Sequence, residues 1–254
     1  MLRSIPLAVL LVGLAGAAAH AAPSFAELKA QGAQAVLAES DRLTNHYPTQ
    51  QWKLKMVVKA PGTEERTLEL RMWQKDQQKR LVRFDAPGPV KGLSMLSEGK
   101  DVMYVYSPQT DNVRRVAAHA QKQTLLGSNM TYSDMSSLDL ADQYDAAFAE
   151  EEAGFQWLTL TAKKGAEPAW DKLRVRVDEK TKMADTIEYF EDGKVARVQT
   201  RTDFGMLDGI PTYRKVTMKT LSDKVETSII IVEQKIGAPL DDGMFKKKAL
   251  VRGE

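Results

Sequence analysis

Short apolar runs, each alternating with polar residues, follow one another from Gln50 to Gln234 and are separated by turn residues. "WKLKMVV" puts Trp52, Leu54, Met56 and Val58 on one side, and "TLELRMW" does the same with Leu68, Leu70 and Met72. "KRLVRFDAP", "KGLSMLSEGK" and "DVMYVYSPQTDNVRRV" follow; further on come "GFQWLTLTAK", "WDKLRVRVDEKTK", "ADTIEYFEDGKVARVQTRTDF" and "IPTYRKVTMKTLSDKVETSIIIVEQ". Turn signals at Ser97-Glu98-Gly99-Lys100, Asp192-Gly193 and Ser222-Asp223-Lys224 mark hairpins, with Asp-Gly the strongest. The count is about eleven or twelve strands, nearly all antiparallel meander. A sheet of that size cannot stay flat, because strands twist and large sheets curl or split. The expected class is α+β: a curled antiparallel sheet, an incomplete β-barrel, with an N-terminal helix and a short helical insertion.

The helix is expected over "PSFAELKAQGAQAVLAESDRLTNHY". Ser24 and Glu27 have the spacing of a capping box, and Pro23 and Leu28 that of a staple. Phe25, Leu28, Gly32, Val36, Leu43 and Tyr47 fall on one stripe that needs an apolar surface to lie on. Ahead of it, residues 1–21 have a basic start at Arg3, an apolar core from Ile5 to Leu14, and an Ala19-His20-Ala21 cleavage triplet. A secretory signal is therefore expected, leaving residues 22–254 as a single domain. Without Arg3 the formal charge falls from +2 to +1. The chain has no cysteine, so disulfides, zinc-thiolate sites and a lipid-attachment cysteine are excluded. The expected product is soluble, periplasmic and not lipidated.

Charge is unevenly spread. Between Lys122 and Lys163 there is no lysine or arginine, whereas Asp134, Asp139, Asp142, Asp145, Glu150, Glu151 and Glu152 all lie there. The segment reads either as a solvated acidic connection or as a docking or lid element facing the basic remainder. "LRVRVDEK" and "KVARVQTR" alternate basic with apolar residues and read as the solvent face of a sheet, so no nucleic-acid partner is expected.

Signs of catalysis are weak. His46 and His119 are the only histidines beyond the leader and have no ligand spacing, so no metal is expected. His119, Ser128 and Asp134 can be drawn as a triad, but no G-x-S-x-G motif accompanies them. "APGPVKG" is not a phosphate loop, because its prolines interrupt the N–H cradle. The chain is read as non-enzymatic, without a cofactor. Its methionines are more telling: eleven in all, ten of them beyond the leader and spread along the chain. Each is either ordinary core filling or part of a surface that grips apolar ligands of variable shape. A curled sheet closed by a helix and an apolar insertion leaves a hollow that fills with side chains or with a ligand.

Gly92 to Leu96 ("GLSML"), Tyr106 to Pro108 ("YSP"), Arg114 to Val116 ("RRV") and Gly127 to Asp134 ("GSNMTYSD") occur in that order. This series resembles the outer-membrane lipoprotein-sorting protein family, relatives of the periplasmic carriers LolA and LolB. The likeness covers residues 92–135; the flanking meander and the closing "DDGMF" agree in pattern only. Asn129 stands where aspartate is usual, which removes an acid that would pair with Arg114 or Arg115. Met130 replaces an aromatic residue, which weakens stacking more than apolar contact.

What the resemblance implies is a half-open barrel whose cavity shelters acyl chains of a lipid or lipoprotein. The loading partner would be an inner-membrane transporter of ABC or RND type, and the receiving one an outer-membrane acceptor. The alternative is a sensor of the same fold that binds a membrane-anchored regulator. On this reading Leu125, Leu126, Met130, Met95, Met72, Tyr104 and Trp52 form the cavity and its lid. Arg114, Arg115, Gly127, Ser128, Tyr132 and Asp134 fix that lid, with Gly127 as hinge and Thr131-x-x-Asp134 as helix cap. The same residues also read as a static staple that holds an inserted loop to the sheet.

Overall fold

The structure is a computed structural model that describes residues 22–99, 102–136 and 139–252; the expected signal at 1–21 lies outside them. The N-terminal helix forms in two pieces, α1 (Phe25–Gln31) and α2 (Ala33–Asn45). Ser24 Oγ accepts the Glu27 N–H at 3.3 Å and Glu27 Oε2 accepts the Ser24 N–H at 2.7 Å, completing the capping box. The expected single helix breaks at Gly32, whose φ of 110° is outside the helical region and open only to a residue without Cβ. The break turns α2 so that Val36 and Leu37 are buried. Leu43 and Tyr47, from the expected stripe, are only half-buried and face a cavity.

The strands are β1 (Thr49–Lys59), β2 (Arg66–Lys75), β3 (Lys79–Ala86), β4 (Ser94–Glu98), β5 (Val102–Ser107) and β6 (Asn112–Arg115). After an insertion containing the short helix α3 (Tyr132–Ser136) come β7 (Tyr144–Glu152), β8 (Phe155–Ala162), β9 (Lys172–Asp178), β10 (Ala184–Glu191) and β11 (Lys194–Thr202). A small hairpin, β12 (Gly205–Leu207) with β13 (Ile210–Thr212), precedes β14 (Lys215–Thr220), β15 (Glu226–Ile236) and the terminal helix α4 (Ala249–Arg252). Fifteen strands among the described residues exceed the expected eleven or twelve, since β6, β12 and β13 are too short for alternation to show. Asp192 and Gly193, at φ 49° and 75°, make the β10–β11 turn with the positive dihedrals this hairpin demands.

Thirteen strands form one antiparallel sheet in the order β6-β5-β4-β3-β2-β1-β15-β14-β11-β10-β9-β8-β7. The first six run outward to one edge, and the rest return from the other edge until β15 lies against β1. Because β6 and β7 do not pair, the sheet is not closed into a barrel. The chain between Arg115 and Tyr144 therefore connects the two edges, and Met130, Met135, Leu140 and Gln143 from it lie in the wall of a cavity on the main-core side.

Strands β3 and β4 are buried on both faces. Val82, Met95, Met103 and Val105 join the main core with Val36, Leu37 and the strands of the second half. Their neighbours Trp73, Leu81 and Leu96 point the other way and are covered by Phe245 and Leu250 from the C-terminal segment. Tyr104 packs with this second group, so strand alternation turns it away from the side on which Met103 and Val105 lie. Its expected place in the cavity is corrected accordingly.

Candidate ligand cavity and its cover

A cavity of about 190 Å³ opens on the main-core side, walled by α2, the insertion and strands from both halves of the sheet. Trp52, Leu54, Met72, Met130, Leu173 and Ile229 give it an apolar lining. Three residues expected there, Trp52, Met72 and Met130, are in its wall. Met95, Leu125 and Leu126 are not; the first two are 2% exposed in the adjoining core, and Leu126 is partly buried against that core.

The insertion is a tight hairpin followed by α3. Leu125 and Met130 pair across it, with the Leu125 N–H donated to the Met130 carbonyl at 2.8 Å. Leu126 and Gly127 both have positive φ at its turn, 53° and 69°, so Gly127 serves a two-residue turn. Asp134 caps α3 as expected: its Oδ2 accepts the Thr131 N–H at 2.7 Å and the Thr131 hydroxyl at 2.8 Å. Ser128 is buried, donating its hydroxyl to the Leu125 carbonyl at 2.7 Å and accepting the Met130 N–H at 3.1 Å. Its hydroxyl is thus engaged in shaping the turn, and the drawn triad with His119 and Asp134 is not assembled.

The groups that hold this cover include expected ones, but the partner of Asp134 is a different arginine. Arg114 reaches Tyr132, donating to its hydroxyl at 3.0 Å with the guanidinium 5.8 Å from the ring centroid, and Arg115 is exposed. The bond to Asp134 comes from Arg197 on β11, whose Nη2 lies 2.5 Å from Oδ2 and 2.8 Å from the Asn129 carbonyl. Both charged side chains are nearly inaccessible, at 6% and 4%. The guanidinium lies 5.2 Å from the Trp170 ring centroid and 5.1 Å from that of Tyr189, which softens the cost of burying its charge. Asn129 donates its side-chain amide to the carbonyls of Met218 at 3.0 Å and Val225 at 2.7 Å, which a carboxylate at this position could not do. Arg66 holds the Leu126 carbonyl at 3.0 Å; a Cβ on Gly127 would sit 3.0 Å from the same guanidinium.

Nothing local marks Arg197 as internal, because the alternation of "KVARVQTR" is that of a solvent-facing strand. In the fold β11 is reversed: Arg197 and Gln199 are buried, while Val198 between them is only half-buried and faces outward. The companion segment "LRVRVDEK" behaves as expected, with Leu173, Val175 and Val177 fully buried. The acidic run, for its part, docks onto the chain's own basic side chains. Asp139 meets His46 at 2.7 Å, Glu150 meets Arg174 at 2.8 Å, Glu152 meets Arg176 at 3.3 Å, and Glu151 pairs with Lys29.

Polar groups also reach the cavity wall. Asp41, on α2, accepts the Ala141 N–H at 2.7 Å, and burial pushes its pKa up to about 7 despite that bond. The nearby Asp139 charge raises it further, and Arg201 opposes the rise. Arg80 is buried, which lowers its pKa to about 10; it donates to Gln74 Oε1 at 2.8 Å and to the Met135 carbonyl at 3.4 Å. Burial likewise pushes the Tyr144 and Tyr189 phenols up. Among the described residues no group of three or more histidines and carboxylates is placed to hold a metal, and no helix is long and apolar enough to cross a membrane.

A family model described as "uncharacterized protein" matches residues 76–252, well over half of the chain. The chain belongs to this family. No curated protein matches it. Its fold is that of the LolA-like proteins. A putative outer membrane lipoprotein-sorting protein domain from Vibrio parahaemolyticus superposes with a TM-score of 0.77 at 19% identity, covering 88% of this chain and 99% of that one. A DUF1329 family protein from Desulfovibrio piger gives 0.81 at 21% identity, with 88% and 98% covered. A LolA superfamily protein from Nitrosomonas europaea gives 0.73 at 16% identity, with 86% and 99% covered. The family member described here thus shares their curled sheet, as the motifs of residues 92–135 led us to expect.

Proposed function

We propose that this protein is a periplasmic carrier that shelters the acyl chains of a lipid or lipoprotein and moves them from the inner towards the outer membrane. The observation that carries the reading is the apolar cavity beneath a segment that joins the two open edges of the sheet. Each exposed CH₂ costs about 0.8 kcal/mol in water, so long chains need such shelter to cross an aqueous space. The likeness of fold to a putative lipoprotein-sorting domain supports it.

Size adds a mechanical requirement. A cavity of roughly 150 Å³ takes up benzene, whereas pockets for larger ligands run to about 300–1,000 Å³. At about 190 Å³ the cavity admits only the start of a long chain. Loading therefore requires the insertion to yield, and release requires a partner that favours the opened form. Protein purified from the periplasm and extracted with organic solvent should release about one equivalent of acylated molecule by mass spectrometry. Loaded protein should pass it to acceptor vesicles. An extract free of lipid, together with no uptake of a fluorescent acyl probe, would rule the carrier out.

A further inference from the structure

We propose that the cavity selects an anionic amphiphile, with Arg201 receiving the charged head while the tail lies along the apolar wall. This rests on the carrier reading and adds the chemical class of cargo. The reversed polarity of β11 carries it. Arg197, Gln199 and Arg201 share one face of that strand and form a polar column on a surface where neighbouring strands present Ile187, Val216 and Met218. Arg197 and Gln199 have internal partners: Asp134 for the first, and the Tyr189 hydroxyl at 3.3 Å for the second.

Arg201 differs from both. It is half-buried in the cavity wall, donates Nη1 to the Ala184 carbonyl at 3.2 Å and lies 5.1 Å from the Tyr213 ring centroid. Among the described residues no carboxylate forms an ion pair with it, and its Nε is buried with no hydrogen-bond partner. Asp41 shares the wall, yet with a pKa near 7 it is only partly charged at neutral pH. A guanidinium turned into an apolar hollow is costly unless an anion meets it, and here the chain supplies none by direct pairing. Pro211, Thr212 and Tyr213, around the β12–β13 hairpin, are half-exposed in the same wall. Arg201 thus stands among its more accessible residues, where the head of an amphiphile would remain while its tail passes inward.

Dodecanoate, dodecyl phosphate and dodecanol share one tail and differ in the head, so displacement of a neutral fluorescent probe from the whole protein at pH 6, where Asp41 keeps its proton and both anions are ionised, separates head from tail. Both anions should bind about ten-fold or more tightly than dodecanol, the range of a charge-assisted hydrogen bond. A fatty-acid cargo predicts dodecanoate as the tighter anion, and a phospholipid cargo predicts dodecyl phosphate; either order upholds the claim. Arg201→Gln should bring the ratio of anion to alcohol near unity, and Arg201→Lys should keep most of it. Equal affinities for anions and alcohol in the unaltered protein would overturn the anionic preference while leaving the carrier intact. Failure of all three to displace the probe would overturn both.

Discussion

Asp41 shows how one side chain can tie pH to the packing of the cover. Its folded pKa of about 7 lies above the ordinary 3.8, so between those values the folded protein keeps a proton that the unfolded chain has lost. Its contribution is most favourable below the unfolded value and is lost as pH rises towards 7. Asp139 and Arg201 face it and act in opposite senses, but burial dominates. Asp41→Asn keeps an oxygen for the Ala141 N–H and removes the titration. The variant should therefore melt at least about 2 °C above the parent at pH 8 and close to it at pH 4, by scanning calorimetry. Parallel stability–pH curves for the two proteins would show that Asp41 does not titrate in this window.

The insertion was legible as an element: its turn, its Thr131–Asp134 cap and its apolar contacts are all local, within three to five residues of one another. Its anchors were not. Arg197 lies 63 residues from Asp134, and Asn129 lies 96 residues from the Val225 carbonyl it holds, so no local pattern links them. Whether the hairpin moves or serves as a fixed staple can be tested cleanly because the chain has no cysteine of its own. The Asn129 N–H already lies 3.3 Å from Thr227 Oγ1. Cysteines at both positions should tie the hairpin to β15 when oxidised. Acyl-probe uptake should then fall at least about ten-fold and return on reduction, because the closed cavity is too small for a long chain. Uptake that is the same in both redox states would identify a staple.

Over the whole molecule, the sheet carries two hydrophobic layers with separate tasks. The cavity lies in the larger layer, whereas Trp73, Leu81, Leu96, Phe245 and Leu250 form a sealed cluster on the opposite face of the first strands. Phe245, 3% exposed, joins that cluster from the C-terminal segment together with Leu250. Phe245→Ala should cost about 3 kcal/mol in chemical denaturation while leaving acyl-probe affinity within about two-fold. A matching loss of affinity would mean that the outer layer shapes the cavity.

The amino-acid order was enough to specify the antiparallel meander, the capping box, the position of the insertion and the need for the sheet to curl, since each follows from spacing within a few residues. It could not say which side of a strand faces inward. Alternation separates two sets of side chains but does not label them, and β11 placed its arginines inside while β5 sent Tyr104 outside. The pairing of β1 with β15 and the crossing of residues 116–143 assigned those directions, and with them the partners of Arg197 and the polar wall of the cavity. Long-range pairing fixes which face each strand turns towards the core, and a one-residue difference in register would exchange them.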